Sequence, residues 1–228
     1  MSEVMHYETA HLRPFAPTYF SRRYAILFYT LLLTMVAAPL IATLELTGAF
    51  IELLLAANLV AAVMPVTTAI SRRALLTLTG LLWVARFVFQ WFEHPALSAI
   101  TLGLWTIMGL VAAAFALRFA FRATEVDREH LYASLSAYLL AGIFFGSFYW
   151  VLEQIDPGSF QVNGAFTRMS AIYFSFVTLA TLGYGDIVPR TDIARGLAIV
   201  EGVGGQLFLA VLVARLVALY GRSGTTYE

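Results

Sequence analysis

The stretch Tyr173-Phe-Ser-Phe-Val-Thr-Leu-Ala-Thr-Leu-Gly-Tyr-Gly-Asp186 carries residue types that can strip water from a cation and hold it. Gly183 and Gly185 alternate with Leu182 and Tyr184. Glycine permits positive φ and close backbone approach, so successive carbonyl oxygens can turn towards one axis. Rings of backbone carbonyls replace the hydration shell of a dehydrated ion. Gly-Tyr-Gly alone is a weak signal, because short glycine patterns recur by chance. Here it follows an apolar, Thr- and Ser-bearing stretch of helical length, which strengthens it. Other groupings offer less. His6 and His11 read as exposed tail residues rather than a metal site. The absence of cysteine removes thiolate ligands and disulfides. Gly202-Val-Gly-Gly205 lies inside an apolar run rather than after a strand, which excludes a nucleotide-binding loop. No grouping of His, Ser and carboxylate occurs within an apolar run, so no enzyme is expected.

The elements around this stretch are those of a membrane protein. Of 228 residues, 60% are hydrophobic and 12% charged, about half the charge of a soluble domain. Crossing the hydrocarbon takes about 20 helical residues. Six runs qualify: Tyr24–Leu46, Ala49–Ile70, Ala74–Phe92, Leu97–Leu117, Leu131–Leu152 and Ile193–Tyr220. A seventh, Ala165–Leu182, is too short and interrupted to cross, and reads as re-entrant. Irregular backbone at membrane depth survives only inside protein or along a water-filled path. The fold class is therefore an all-α membrane protein with six transmembrane helices and a re-entrant segment.

All fourteen cationic side chains are Arg and the formal net charge is zero, so their placement is what informs. Arg13, Arg22, Arg23, Arg72, Arg73, Arg118, Arg122, Arg128, Arg215 and Arg222 fall on one side of the spans. Arg168, Arg190 and Arg195 fall on the other, among most of the acidic residues. Cytoplasmic loops accumulate Arg, so both termini are expected inside a plasma or inner membrane, with the re-entrant segment entering from outside. The expected organisation is a cytoplasmic segment over 1–23, a four-helix membrane domain over 24–118, a cytoplasmic linker over 119–130, a pore domain over 131–220 and a tail over 221–228. Arg86 is the cation within a span and is expected to pair with Glu45, Glu52 or Glu93. Trp83, Phe87, Phe89, Trp91 and Phe92 read as packing and interface anchors.

The segment from Tyr173 to Asp186, set between the last two spans, resembles the pore signature of tetrameric potassium channels, usually Thr-Val-Gly-Tyr-Gly-Asp, with Leu182 in place of Val. The likeness covers Leu131–Tyr220 in layout, while residues 1–130 match the six-helix members in helix number alone. It implies a homotetramer in membrane lipid with no nucleic-acid partner and no cofactor. The permeant K+ would be held by carbonyls of Thr181, Leu182, Gly183 and Tyr184, with Gly185 closing the filter and the Thr181 hydroxyl at its cytoplasmic end. Tyr184 would brace it from behind. A pore helix from Thr167 to Thr178 would point its partly negative C-terminal end at the cavity. In this family the Asp after the filter bonds an aromatic donor, here Tyr173. Gly205 matches the inner-helix glycine that hinges or permits close packing, and the stripe Gln206, Leu209, Val213 would face the cavity.

Glu201 is an ionisable residue within a span, a functional-site hypothesis by default. It is expected to approach the pore helix near Ser175 or Thr178 and to support the filter. The fourth span has no Arg at every third position, so the charge that drives a steep voltage response is lacking. The family's prokaryotic members often carry a ligand-binding domain after the inner helix. Eight residues follow Tyr220 here, so gating is expected at the filter or inner helices, unless a longer native chain extends further. A potassium-uptake transporter subunit would carry four such loops in one chain, and a non-selective cation channel tends to lose the filter Tyr.

Overall fold

A computed structural model describes residues 22–43, 48–63, 69–91, 95–122 and 127–223. In chain order the elements are α1 (Arg23–Thr43), α2 (Gly48–Val63), α3 (Ala69–Trp91), α4 (Pro95–Phe121), α5 (Arg128–Ile155), β1 (Phe160–Val162), α6 (Arg168–Leu179), β2 (Ile187–Pro189) and α7 (Asp192–Ser223). The expected N-terminal segment before Arg22, the middle of the linker, the last five residues, and His6, His11, Glu45, Phe92 and Glu93 lie outside the described residues. So do the side chains of Glu52, Phe87, Phe89 and Trp91.

Four described helices are long and apolar enough to cross a membrane: Arg23–Leu40, Ala99–Phe121, Arg128–Ile155 and Asp192–Ala218. The other two expected spans form helices that fall short of that measure. Of these, α2 has 16 residues, less than the roughly 20 a span requires. The 23 residues of α3 include Arg72, Arg73 and Arg86, which dilute its apolar character. The seventh run is a separate helix of 12 residues, α6, too short to cross.

The first core lies among α1, α2, α4 and α5. Leu27, Leu31, Leu59, Leu140 and Phe144 are fully buried there. Small residues set the spacing. A β-carbon on Gly109 of α4 would fall 2.3 Å from the Phe144 ring of α5, so this glycine is what lets the two helices close. At the other end Tyr24 and His130 both stack on Phe119, at 4.6 and 4.5 Å between ring centroids, and the Tyr24 N–H donates to Glu129 at 2.9 Å. These contacts fasten α1 and α4 to the start of α5.

The second core sits under the loops that flank α6. Phe160 of β1 stacks on Phe166 at 4.7 Å and meets Tyr149 and Phe174 edge-on at 5.4 and 5.3 Å. Each offset or edge-on pair adds about 0.5–1.5 kcal/mol beyond its buried area. The all-helical expectation misses one feature here. β1 and β2 form an antiparallel pair in the register Phe160↔Pro189, Gln161↔Val188, Val162↔Ile187. Three-residue strands carry too few side chains for a period-two pattern to show.

Candidate functional site

The site is built on α6. Its N-terminus is closed by a capping box: Thr167 Oγ1 accepts from the Ser170 N–H at 3.1 Å, and the Thr167 N–H donates to Ser170 Oγ at 2.7 Å. Removal of such a cap costs about 0.5–2 kcal/mol. Thr167→Ala is therefore expected to lower the thermal midpoint of the folded protein, with Thr167→Ser close to unchanged, as read by a melt in detergent.

At the other end, α6 grips the chain that leaves it. The Thr181 N–H donates to the Thr178 carbonyl at 3.0 Å. The Leu182 and Gly183 N–H groups both donate to the Val177 carbonyl, at 2.8 and 3.5 Å. The backbone from Thr181 to Gly185 then alternates in hand. Positive φ occurs at Thr181 (55°), Gly183 (56°) and Gly185 (78°), with Leu182 and Tyr184 between them on the negative side. Residues 180–186 are all exposed in the isolated chain. Two of the three positive angles fall on the glycines singled out in sequence. Thr181 does not fit that logic, since a β-branched residue resists this region, at a cost of about 1–2 kcal/mol. No residue type signals it. Its tethers do: beyond the N–H bond, Thr181 Oγ1 accepts from Gln206 Nε2 of α7 at 3.2 Å.

The far end of the segment is held elsewhere. The Asp186 carboxylate lies close enough to the Tyr173 phenol on α6 for the two to interact. Beyond it β2 pairs with β1, and the Arg190 N–H donates to the Ser159 carbonyl at 2.8 Å. The Glu153 carboxylate at the end of α5 accepts from the Gly158 and Phe160 N–H groups at 2.8 and 3.1 Å. That acid closes the turn containing Gly158 (φ 90°), a role that the sequence reading did not assign to it.

The last helix, α7, runs unbroken past its glycines. A β-carbon on Gly205 would lie 2.6 Å from the Leu179 carbonyl, and one on Gly202 3.7 Å from that of Thr178. Of the two readings of Gly205, close packing is the one this conformation uses. Gln206, Leu209 and Val213 are exposed in the isolated chain, and Gln206 sits beneath the Thr181 hydroxyl.

Glu201 is 1% exposed. Its Oε2 accepts from the Tyr149 hydroxyl of α5 at 2.6 Å, and its Oε1 is in very close contact with Ser175 Oγ of α6. Of the two expected neighbours Ser175 is the one bonded, and Tyr149 is an additional partner that sequence spacing does not reveal. Arg86 is buried, and the three carboxylates expected to pair with it fall outside the described residues or have side chains that do. No group of three or more His, Cys, Asp or Glu poised to hold a metal occurs among the described residues.

Residues 134–222 match the family described as "Ion channel". The chain is 45% identical over 60 residues to two-pore potassium channel 4 of Arabidopsis thaliana, covering 25% of this chain and 21% of that protein. It is 36% identical over 91 residues to two pore potassium channel c of Oryza sativa subsp. japonica, 39% of this chain and 18% of the relative. Over 72 residues it is 36% identical to the inward rectifier potassium channel Kirbac3.1 of Paramagnetospirillum magnetotacticum, 32% and 22% of the two. The chain thus spans about a fifth of the length of these curated relatives. No solved structure matches the chain. The alternating backbone of this membrane protein, hung between a short helix and a long apolar one, lies within the stretch over 134–222 that matches the ion channel family.

Proposed function

We propose that four copies of this chain enclose a potassium-selective pore, with the Thr181–Gly185 segments around a common axis. The observation that carries this is the alternation of hand at Thr181, Gly183 and Gly185. Alternation turns consecutive carbonyls to one side, which a cation shedding its water requires. A single chain supplies only one wall, and the segment is exposed when the chain is alone. The long apolar helix α7 is likewise mostly uncovered, with Ile199, Val200, Val203 and Leu207 each more than half exposed. Three further copies cover both.

In this reading α2 and α3 complete six spans, and the chain divides into the four-helix domain over 24–118 and the pore domain over 131–220, both termini in the cytoplasm. K+ binds the carbonyls of Thr181, Leu182, Gly183 and Tyr184, and Gly185 and Asp186 close the outer mouth. Gln206, Leu209 and Val213 line the cavity, where the C-terminal end of α6 favours a cation. Described residues of α4 carry Arg only in the last turn, so voltage does not drive gating through that helix. Purified protein in liposomes is expected to pass K+ and not Na+, with block by barium, and to sediment as a tetramer. Equal K+ and Na+ flux would make it a non-selective channel, and a monomer would remove the pore.

A further inference from the structure

The hydrogen bonds around Glu201 do not balance if it is a carboxylate. Ser175 Oγ, fully buried, lies 2.7 Å from the Gly142 carbonyl of α5 and against Glu201 Oε1 of α7. Serine has one hydroxyl proton. A carbonyl oxygen only accepts, and so does an ionised carboxylate. Two acceptors therefore face one donor, and whichever contact lacks the proton sets two lone pairs against each other at bonding distance. On the other side of Glu201 the Tyr149 hydroxyl already donates its proton to Oε2, so tyrosine cannot resolve the conflict. One further proton does. With Oε1 protonated, Glu201 donates to Ser175, Ser175 donates to Gly142, Tyr149 donates to Oε2, and every buried polar atom in the chain of bonds is satisfied.

We infer that Glu201 is held as the neutral acid, and that its proton, donated to Ser175, ties α7 to α6 and α5. Burial favours the same state, since an ionised carboxylate out of water needs a charged partner. From α5, the Tyr149 phenol bonds Glu201 and the Tyr138 phenol lies within electrostatic range of it. From α6 it receives Ser175. The ionisable residues of that helix are Arg168 at its start and Tyr173, which lies near Asp186. None of the groups named as acting on it brings a positive charge. Glu201 is on this account a positioning residue. The chain of bonds joins α5, at Gly142 and Tyr149, to Ser175 of α6 and Glu201 of α7.

The inference does not depend on conduction, and neither does its test. Infrared difference spectra between wild type and Glu201→Gln, both as folded protein in lipid at neutral pH, are expected to show a protonated carboxylic C=O stretch in wild type that the variant lacks. Observation of ionised carboxylate bands alone would overturn the assignment. Ser175→Ala provides a second route if the Gln variant does not fold: the same stretch should move to the higher frequency of an acid with no acceptor, and an unmoved stretch would overturn the Ser175 bond. Stability against pH supplies the third readout. Gln can donate to Ser175 and accept from Tyr149 at any pH, so the wild-type thermal midpoint should fall in alkali and that of Glu201→Gln should not. Parallel curves for the two proteins would refute the role of the proton.

Discussion

Substituting alanine for Gly183 is expected to abolish potassium flux while leaving an assembled, helical protein. Gly183 sits at φ 56°, where an L-residue costs about 1–2 kcal/mol. Thr181 already bears such a penalty, but is held by the Thr178 carbonyl and the Gln206 amide. Gly183 has one long bond to the Val177 carbonyl at 3.5 Å, too weak to hold a second strained residue in place. In the proposed tetramer the penalty is repeated around the axis, about 4–8 kcal/mol per pore, or a roughly thousandfold or greater loss of the conducting conformation. Gly158→Ala is the control. It has φ 90° with open space around it, so it carries a similar backbone penalty outside the ion path. It should soften the loop and still conduct. Equal flux from Gly183→Ala and wild type in liposomes would contradict the proposed coordination.

The second large effect is expected at Gly146. A β-carbon there would lie 2.5 Å from the Ile172 α-carbon of α6. The obstacle is backbone, so no rotamer change relieves it, and α6 must move bodily off α5. Overpacking of this kind costs about 1–3 kcal/mol. It acts on the helix that carries Val177, Thr178 and the rest of the segment's inner tethers. Gly146→Ala should therefore lower the thermal midpoint and reduce flux together. Gly103→Ala offers the contrast, because its nearest neighbour is Val151 Cγ1 at 4.0 Å. There the gain in helix propensity, about 1 kcal/mol, should leave the midpoint unchanged or raised. If both variants melt alike, the α5–α6 contact does not set the position of α6.

Much of this was legible in the sequence because its causes are local. The runs of apolar residues locate α1, α4, α5 and α7, and Thr167 marks where α6 begins. Glycine at 183 and 185 announces positive φ by residue type. What stayed hidden depends on partners distant in sequence. Thr181, at a glycine-like angle, bonds Gln206, 25 residues on, and Glu201 meets Tyr149, 52 residues earlier. Neither separation follows a helical or strand period. The β1–β2 pair is too short to leave a pattern. For α2 and α3, hydropathy alone suggested spans, whereas the 16 residues of α2 and the arginines of α3 keep both below the measure that the other four meet.

The two ends of the Thr181–Asp186 segment answer to different masters. The inner end is fixed to α6 and α7 through Val177, Thr178 and Gln206. The outer end is fixed to the β1–β2 clasp and through it to the loop after α5. In the proposed pore, a load on that loop is expected to reach the segment through β2 and to loosen its outer oxygens before its inner ones. Such a strand is a string stopped at both ends, and whatever grips the loop from outside can detune it without touching the helices.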